Sequence, residues 1–275
     1  MHGIGNDYIY FDCLDEPFEN PNEASVRLSD RHFGIGGDGI VLICPSEVAD
    51  AKMRMFNADG SEGKMCGNAI RCVGKYLYDS GRVKKTALSI ETLSGIKTLQ
   101  LHIGEDGKTE TVKVDMGAPV LDPKEIPVSL EADENGRVVA RKTEIAGGMA
   151  EITCVSMGNP HCVIFTDPDA LELEKIGPAH ENAPIFPDRV NTEFVKVLGK
   201  NDLKMRVWER GSGETWACGT GACATAVAAV LNGHANRNED IKVKLLGGEL
   251  VIRWTEDTVL MTGPATLVFQ GEIEI

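Results

Sequence analysis

The chain is poor in aromatic residues, with Phe, Trp and Tyr making up only 5% of its 275 positions. Its core must therefore lean on Val, Ile, Leu and Ala. It also lacks any run of Lys or Arg. The formal net charge is −14, and phosphate binding needs clustered positive charge, so no nucleic-acid partner is expected. No apolar run approaches the length of a membrane span, so no membrane association is expected. No apolar stretch with a basic flank opens the sequence, so no signal peptide is expected. A C-x-x-C pair is missing as well. Eight cysteines spread over this length do not make a small disulfide scaffold; they read as reduced thiols of a cytoplasmic protein.

What is present is ordinary globular composition, 42% apolar and 25% charged. The length suits one large domain or two ordinary ones. Short runs with alternating apolar and polar residues recur throughout, among them 38–44, 51–57, 97–103, 152–158, 161–165, 192–198, 204–210, 241–246, 249–254 and 258–263. Such runs read as half-buried strands. Two segments read as helices, NAIRCVGKYLYDSG and TGACATAVAAVLNG. Each stops at a glycine, Gly81 and Gly233. The pattern is strand-rich α+β rather than regular βαβ alternation.

The sequence repeats itself. MRMFNADGSEGKMCGNAIRC begins at Met53, and MRVWERGSGETWACGTGACA begins at Met205, so that Cys218 follows Cys66 by 152 positions. At nearly the same offset GNDYIYF falls on GNPHCVIF, and DGIVLI falls on NTEFVKV. Three colinear blocks point to an internal duplication. Two pseudo-symmetric lobes are expected, each a curved sheet on one main helix, with the chain crossing between them near 116–119 and 262–265. The lobes would comprise 1–118 plus 264–275, and 119–263, with the active site in the cleft between them. The polar stretch from about 121 to 150 reads as a hairpin or loop insertion.

In each copy a Gly/Ser-rich loop leads to Cys-Gly at a helix start: Cys66-Gly67-Asn68 and Cys218-Gly219-Thr220. A helix N-terminus offers unpaired N–H groups and the positive end of a dipole. It binds carboxylates, and it lowers a nearby thiol's pKa to roughly 3.5–7.5. Two such starts on opposite faces of a carbon acid would suit inversion of a stereocentre: one thiolate removes the α-proton and one thiol delivers another. The helix N–H groups would stabilise the carbanion's carboxylate. The other cysteines fit as small hydrophobes: Cys13, Cys44, Cys154 and Cys162 in strand-like runs, Cys72 and Cys223 within helices. Their spacings are not those of a structural zinc site, and no metal is expected. GIGGDG at 34–39 matches a dinucleotide fingerprint only superficially. A strand follows it where a helix should, and a turn is the better reading.

These motifs carry a family resemblance. MHGIGNDY, FNADGSEGKMCGNAIRC, SMGNPHC, RVNTEF and ERGSGETWACGTGACA, in this order and over nearly the whole chain, resemble the diaminopimelate epimerases. The resemblance implies interconversion of LL- and meso-diaminopimelate, without pyridoxal phosphate or metal, in lysine and wall-precursor biosynthesis. It implies Cys66 and Cys218 as the acid/base pair, with His161 and Glu209 also required for activity. Substrate contacts would come from Asn6, Asn57, Asn159, Asn191, Glu209 and Arg210, and from the backbone at Gly67, Asn68, Gly219 and Thr220. Two departures stand out: the chain opens at Met1-His2 where the family has a longer first strand, and Gly39 stands where some members have a substrate-contacting glutamine. The expected partner is the small-molecule substrate. Oligomeric state is left open, with a homodimer as one option. The competing readings are a proline racemase or hydroxyproline epimerase, which typically carry Cys-Gly-His at the first site, and, from another class, a thiol redox protein.

Overall fold

The alternating Val/Ile/Leu runs do become strands. In the computed structural model, which describes residues 1–274, the chain forms two compact units: Met1–Asp115 together with the chain from Thr262 onward, and Met116–Met261.

The first unit contains β1 (His2–Gly3), β2 (Asn6–Asp7), β3 (Ile9–Asp12), α1 (Pro21–Ser29), β4 (Gly39–Cys44), β5 (Ala51–Asn57), β6 (Glu62–Gly63), α2 (Gly67–Asp79), β7 (Ala87–Thr92), β8 (Gly95–Ile103) and β9 (Thr109–Asp115). Its main sheet runs β3-β4-β5-β7-β8-β9, with β6 beside β5 and β1/β2 as a separate ribbon. The second unit contains β10 (Arg141–Ile145), β11 (Gly148–Ser156), β12 (Pro160–Phe165), α3 (Leu173–Glu181), β13 (Asn191–Gly199), β14 (Asp202–Glu209), β15 (Gly213–Thr215), α4 (Gly219–Leu231), β16 (Ile241–Leu245) and β17 (Gly248–Trp254). Its sheet runs β10-β11-β12-β13-β14-β16-β17, with β15 beside β14. The last strand, β18 (Val259–Pro264), starts in the second unit and ends in the first.

The duplication is written in the register. Ile40 faces Phe56 and Met55 faces Gly63; moved by 152 positions, these become Thr192 facing Trp208 and Val207 facing Thr215, both of which are observed pairs. The same shift carries α2 onto α4. Strand directions agree too: β3/β4 and β12/β13 are parallel, β4/β5 and β13/β14 antiparallel, β5/β7 and β14/β16 parallel. Fold class is therefore α+β, two copies of one mixed sheet each folded against a helix.

The two helices differ in how deeply they sit. α4 is Ala- and Val-rich and buried on nearly every side. It packs on β11, β12, β13, β14, β16 and β17, so the sheet curls around it. A helix apolar all round is one that is enclosed. α2 is amphipathic and packs on β1, β8 and β9. Gly74 lets it approach, because a Cβ there would stand 2.8 Å from Leu99 Cδ2.

The polar insertion is partly a hairpin, β10/β11, and partly irregular chain. It is not merely surface. Ile126, Val128, Val138 and Ile145 from it join Phe186, Phe194 and Trp208 in one buried cluster. Burying each such side chain contributes roughly 1.5–3 kcal/mol. Two further helices, α1 and α3, were not expected. α3 carries Pro178, and its Gly177 lies flat on the Trp208 ring, where a Cβ would come within 2.1 Å of Trp208 Cδ2.

Candidate active site

Cys66 and Cys218 are both N-cap residues with extended backbones, at the first turns of α2 and α4. Cys66 Sγ accepts from the amide of Ala69 at 3.5 Å, and Cys218 Sγ accepts from that of Gly221 at 3.4 Å. A cap normally uses oxygen; here sulfur takes the place of a Ser or Asp side chain and satisfies one exposed helix N–H. Gly67 and Gly219 follow as the first helical residues, and Asn68 and Thr220 come next.

In the first unit the structure gathers Asn6 with Cys66. The Cys66 thiol donates to Asn6 Oδ1 at 3.4 Å, and Asn6 Nδ2 donates to Asp38 Oδ2 at 2.7 Å. Arg31 bridges Asp7 and Asp38 at 2.8 and 2.9 Å. Burial, and then the nearby Asp7 charge, push Asp38 above its usual range, against the hydrogen bond from Asn6 and the charge of Arg31. Asn57 ends β5 and donates to Ser61 Oγ at 3.0 Å, which anchors the loop that leads to Cys66.

The second unit surrounds Cys218 with acid groups. Thr215 donates to Glu209, and the Cys218 thiol donates to the same carboxylate. His161 Nδ1 lies 2.6 Å from Glu193 Oε1, both fully buried, and its Nε2 lies 3.0 Å from Asn159 Oδ1. Burial raises the Glu209 carboxyl above its ordinary range, although the Thr215 and Cys218 hydrogen bonds partly offset this. Burial also raises the Cys218 thiol well above its ordinary range, and the Glu209 and Glu193 carboxylates push it further. The helix start does not lower this thiol, contrary to what the sequence suggests. Desolvation and two nearby negative charges outweigh one helix dipole. Gly221 is needed here, since a Cβ would meet Glu193 Oε1 at 2.7 Å and Cys218 Sγ at 3.1 Å.

Asn191, the register partner of His161 on the neighbouring strand, is paired with Arg210. Asn191 Oδ1 accepts from the Arg210 amide at 2.8 Å, while the Arg210 guanidinium donates to Asp188 O at 2.7 Å. Glu181 shapes the neighbouring turn by accepting from Trp208 Nε1 and from the amide of Gly211.

Sequence reasoning missed Glu193, Asp38 and Glu181. Glu193 was detectable in principle. In the duplicated register it occupies the place of Val41, so one copy carries a carboxylate where the other carries an apolar side chain. Gly39 also has a structural reason. At φ +155 its Cβ would fall 2.0 Å from Phe56 O, so no side chain fits there.

The fold is shared with a phenazine biosynthesis protein of the PhzF family from Bacillus anthracis, at TM-score 0.65 and 17% identity over 96% of this chain and 91% of that one. It is also shared with a hydroxyproline epimerase from Agrobacterium vitis, at TM-score 0.62 and 15% identity over 96% of this chain and 86% of that one. Sequence narrows this further. The family model for diaminopimelate epimerase matches residues 1–121 and 153–268, leaving out the insertion. A diaminopimelate epimerase of Acetivibrio thermocellus is 57% identical over 100% of this chain and 97% of its own length, and one of Leptospira biflexa is 50% identical over 100% and 98%. The chain belongs to the diaminopimelate epimerase family.

Proposed function

We propose that this chain interconverts LL- and meso-diaminopimelate by moving a proton between the two faces of one α-carbon, with Cys66 and Cys218 as the acid/base pair. The observation that carries this reading is the repeated helix start: two thiols, each on a helix cap, in two copies of one scaffold. One cysteine as thiolate takes the α-proton and becomes a thiol. The other, as thiol, gives its proton to the opposite face and becomes the thiolate. The amides of the first turns, at Gly67, Asn68, Gly219 and Thr220, would receive the carboxylate as its charge grows.

The two sides are not equivalent. Burial, and then the Glu209 and Glu193 carboxylates, favour the protonated form of Cys218, which suits it as the acid when Cys66 is the thiolate. In the reverse direction Glu209 supplies an acceptor for that proton, and His161 with Glu193 supports it from behind. Asn6 presents its carbonyl to Cys66, and Asp38 fixes that orientation through the amide end. Asn57, Asn159, Asn191 and Arg210 supply the remaining polar groups for a substrate with a second amino-acid end. An arginine can grip such a carboxylate with two hydrogen bonds.

The test is proton NMR of LL-diaminopimelate with the reduced protein in heavy water, with L-proline and hydroxyproline in parallel. Deuterium entering one α-position of diaminopimelate as the meso form accumulates is the expected result. Exchange with proline or hydroxyproline alone would overturn the substrate, and exchange with none of the three would overturn the reaction.

A further inference from the structure

Two cysteines outside the proposed site are held side by side. β3 and β4 are parallel neighbours, with Phe11 paired to Leu42 and Asp12 to Ile43. The pairing continues one step further, since the amide of Cys13 donates to Ile43 O at 2.9 Å. Cys13 thus stands beside Cys44 on adjacent strands. Register partners share a sheet face, and both thiols pack into the same small core with Ile40, Leu42 and Phe56. The Cys13 thiol donates to Phe11 O at 3.6 Å, which holds its sulfur at the end of β3. Neighbouring strands lie about 4.8 Å apart, inside the Cα separation of about 4.4–6.8 Å that a disulfide spans.

The surroundings make the two thiols unequal. Cys13 is buried, whereas Cys44 is partly exposed at the end of its strand. Lys52 is the direct cross-strand partner of Cys44, and Arg54 lies two residues along on the same face. The Cys13 thiol beside it, and then the Arg54 and Lys52 charges, themselves paired with Glu62 and Glu91, bring Cys44 down to about 7 against the effect of burial. Cys154 and Cys162 also face each other directly across β11 and β12, but both are closed off from solvent. Only the first pair joins contact to access.

We propose that Cys13 and Cys44 form a reversible dithiol/disulfide site, with Cys44 as the attacking thiol, Cys13 as the resolving thiol, and a low-molecular-weight disulfide such as oxidised glutathione as oxidant. The Cys44 thiolate attacks one glutathione sulfur, giving a mixed disulfide and releasing one glutathione thiolate. Cys13 then loses its proton to solvent and attacks the Cys44 sulfur, closing the Cys13–Cys44 bond and releasing the second glutathione. Two thiols lose two electrons, and one disulfide gains them. The pair sits at the opposite ends of β3 and β4 from Asn6 and Asp38, so this chemistry is separate from the proposed proton transfer.

The experiment is oxidation of the reduced full chain with oxidised glutathione at pH 7.5, quenching with N-ethylmaleimide, and non-reducing peptide mapping. The expected product is a disulfide between the peptide containing Cys13 and the peptide containing Cys44, distinct in mass from any link involving Cys66 or Cys218. In a Cys13→Ser variant, glutathione should remain trapped on Cys44; in Cys44→Ser, Cys13 should stay reduced. Circular dichroism checks that each variant is folded. The proposal is overturned if Cys44 resists both oxidation and maleimide while Cys66 reacts. It is equally overturned if wild-type Cys44 accumulates glutathione without passing it to Cys13. If the wild-type link does not form and neither variant folds, equal maleimide labelling of Cys13 and Cys44 in wild type also rejects it.

Discussion

At the scale of the residue, the chief contrast lies between two cysteines with the same backbone role. Cys66 faces the amide Asn6, while Cys218 faces the carboxylate Glu209. In the duplicated register Asn57 and Glu209 are equivalents, as are Val41 and Glu193, whereas Asp38 answers to Val190, so the two copies carry their carboxylates at different places. Glu209→Gln should therefore lower the pH at which Cys218 titrates, which the pH profile of its alkylation reads by mass spectrometry; epimerisation should fall by about 10²-fold. The same residue affects stability. Its carboxyl is raised in the fold above the reference 4.5, so its contribution is fully present below that pH and is lost as pH rises through the folded value. Urea unfolding of Glu209→Gln should match wild type near pH 4 and show a relative gain by pH 7. A constant difference across that range would contradict the buried, raised carboxyl. Cys66→Ala and Cys218→Ala should each leave a folded protein with no solvent exchange at the substrate α-carbon, and turnover near that of wild type in either variant would sink the two-thiol mechanism.

At the scale of the element, close backbone approach governs the site. Gly39 starts β4 against Phe56 O, and Gly221 sits in the first turn of α4 between Glu193 and Cys218. Gly39→Ala should destabilise the protein by about 1–3 kcal/mol or more, combining an unfavourable φ with a backbone clash, and urea unfolding would measure it. Gly221→Ala should spare stability more than activity, because the atoms it displaces are the Cys218 sulfur and the Glu193 carboxylate; equal kinetics to wild type would contradict that placement. These elements were unevenly legible. α2 and α4 could be read because each follows a Gly-rich loop and stops near a glycine. α1 could not, since its Asn20 cap is left-handed and makes no side-chain cap bond, and its sequence PNEASVRLS is mostly polar. α3 hid behind Pro178, which tertiary packing on Trp208 overrides. Glu193 hid in NTEFVKV because alternation suggests an outward side chain, whereas residues 191–195 of β13 are buried on both faces. Cys66 and Cys218 were legible as a matched pair, but the elevated Cys218 thiol was not, because it depends on side chains that are far apart in the chain.

At the scale of the whole molecule, the proposed reaction needs both copies to serve one substrate. Diamide treatment of the reduced protein should then abolish epimerisation, dithiothreitol should restore it, and a peptide linking Cys66 to Cys218 should mark the inactive form. Full activity after complete oxidation would contradict the pairing. The return of β18 has a consequence for synthesis. The first unit takes its last strand from Thr262 onward, and Thr266 there pairs with His2, while Arg71 Nε donates to Pro264 O at 3.1 Å. As the chain leaves the ribosome, the unit that begins first is the one that cannot close until nearly everything else has been made. The second unit, a continuous stretch, is free to fold while the first waits for its final strand. Order of emergence and order of completion are thus reversed, and a nascent chain arrested before Thr262 should show protease protection in the second unit well ahead of the first.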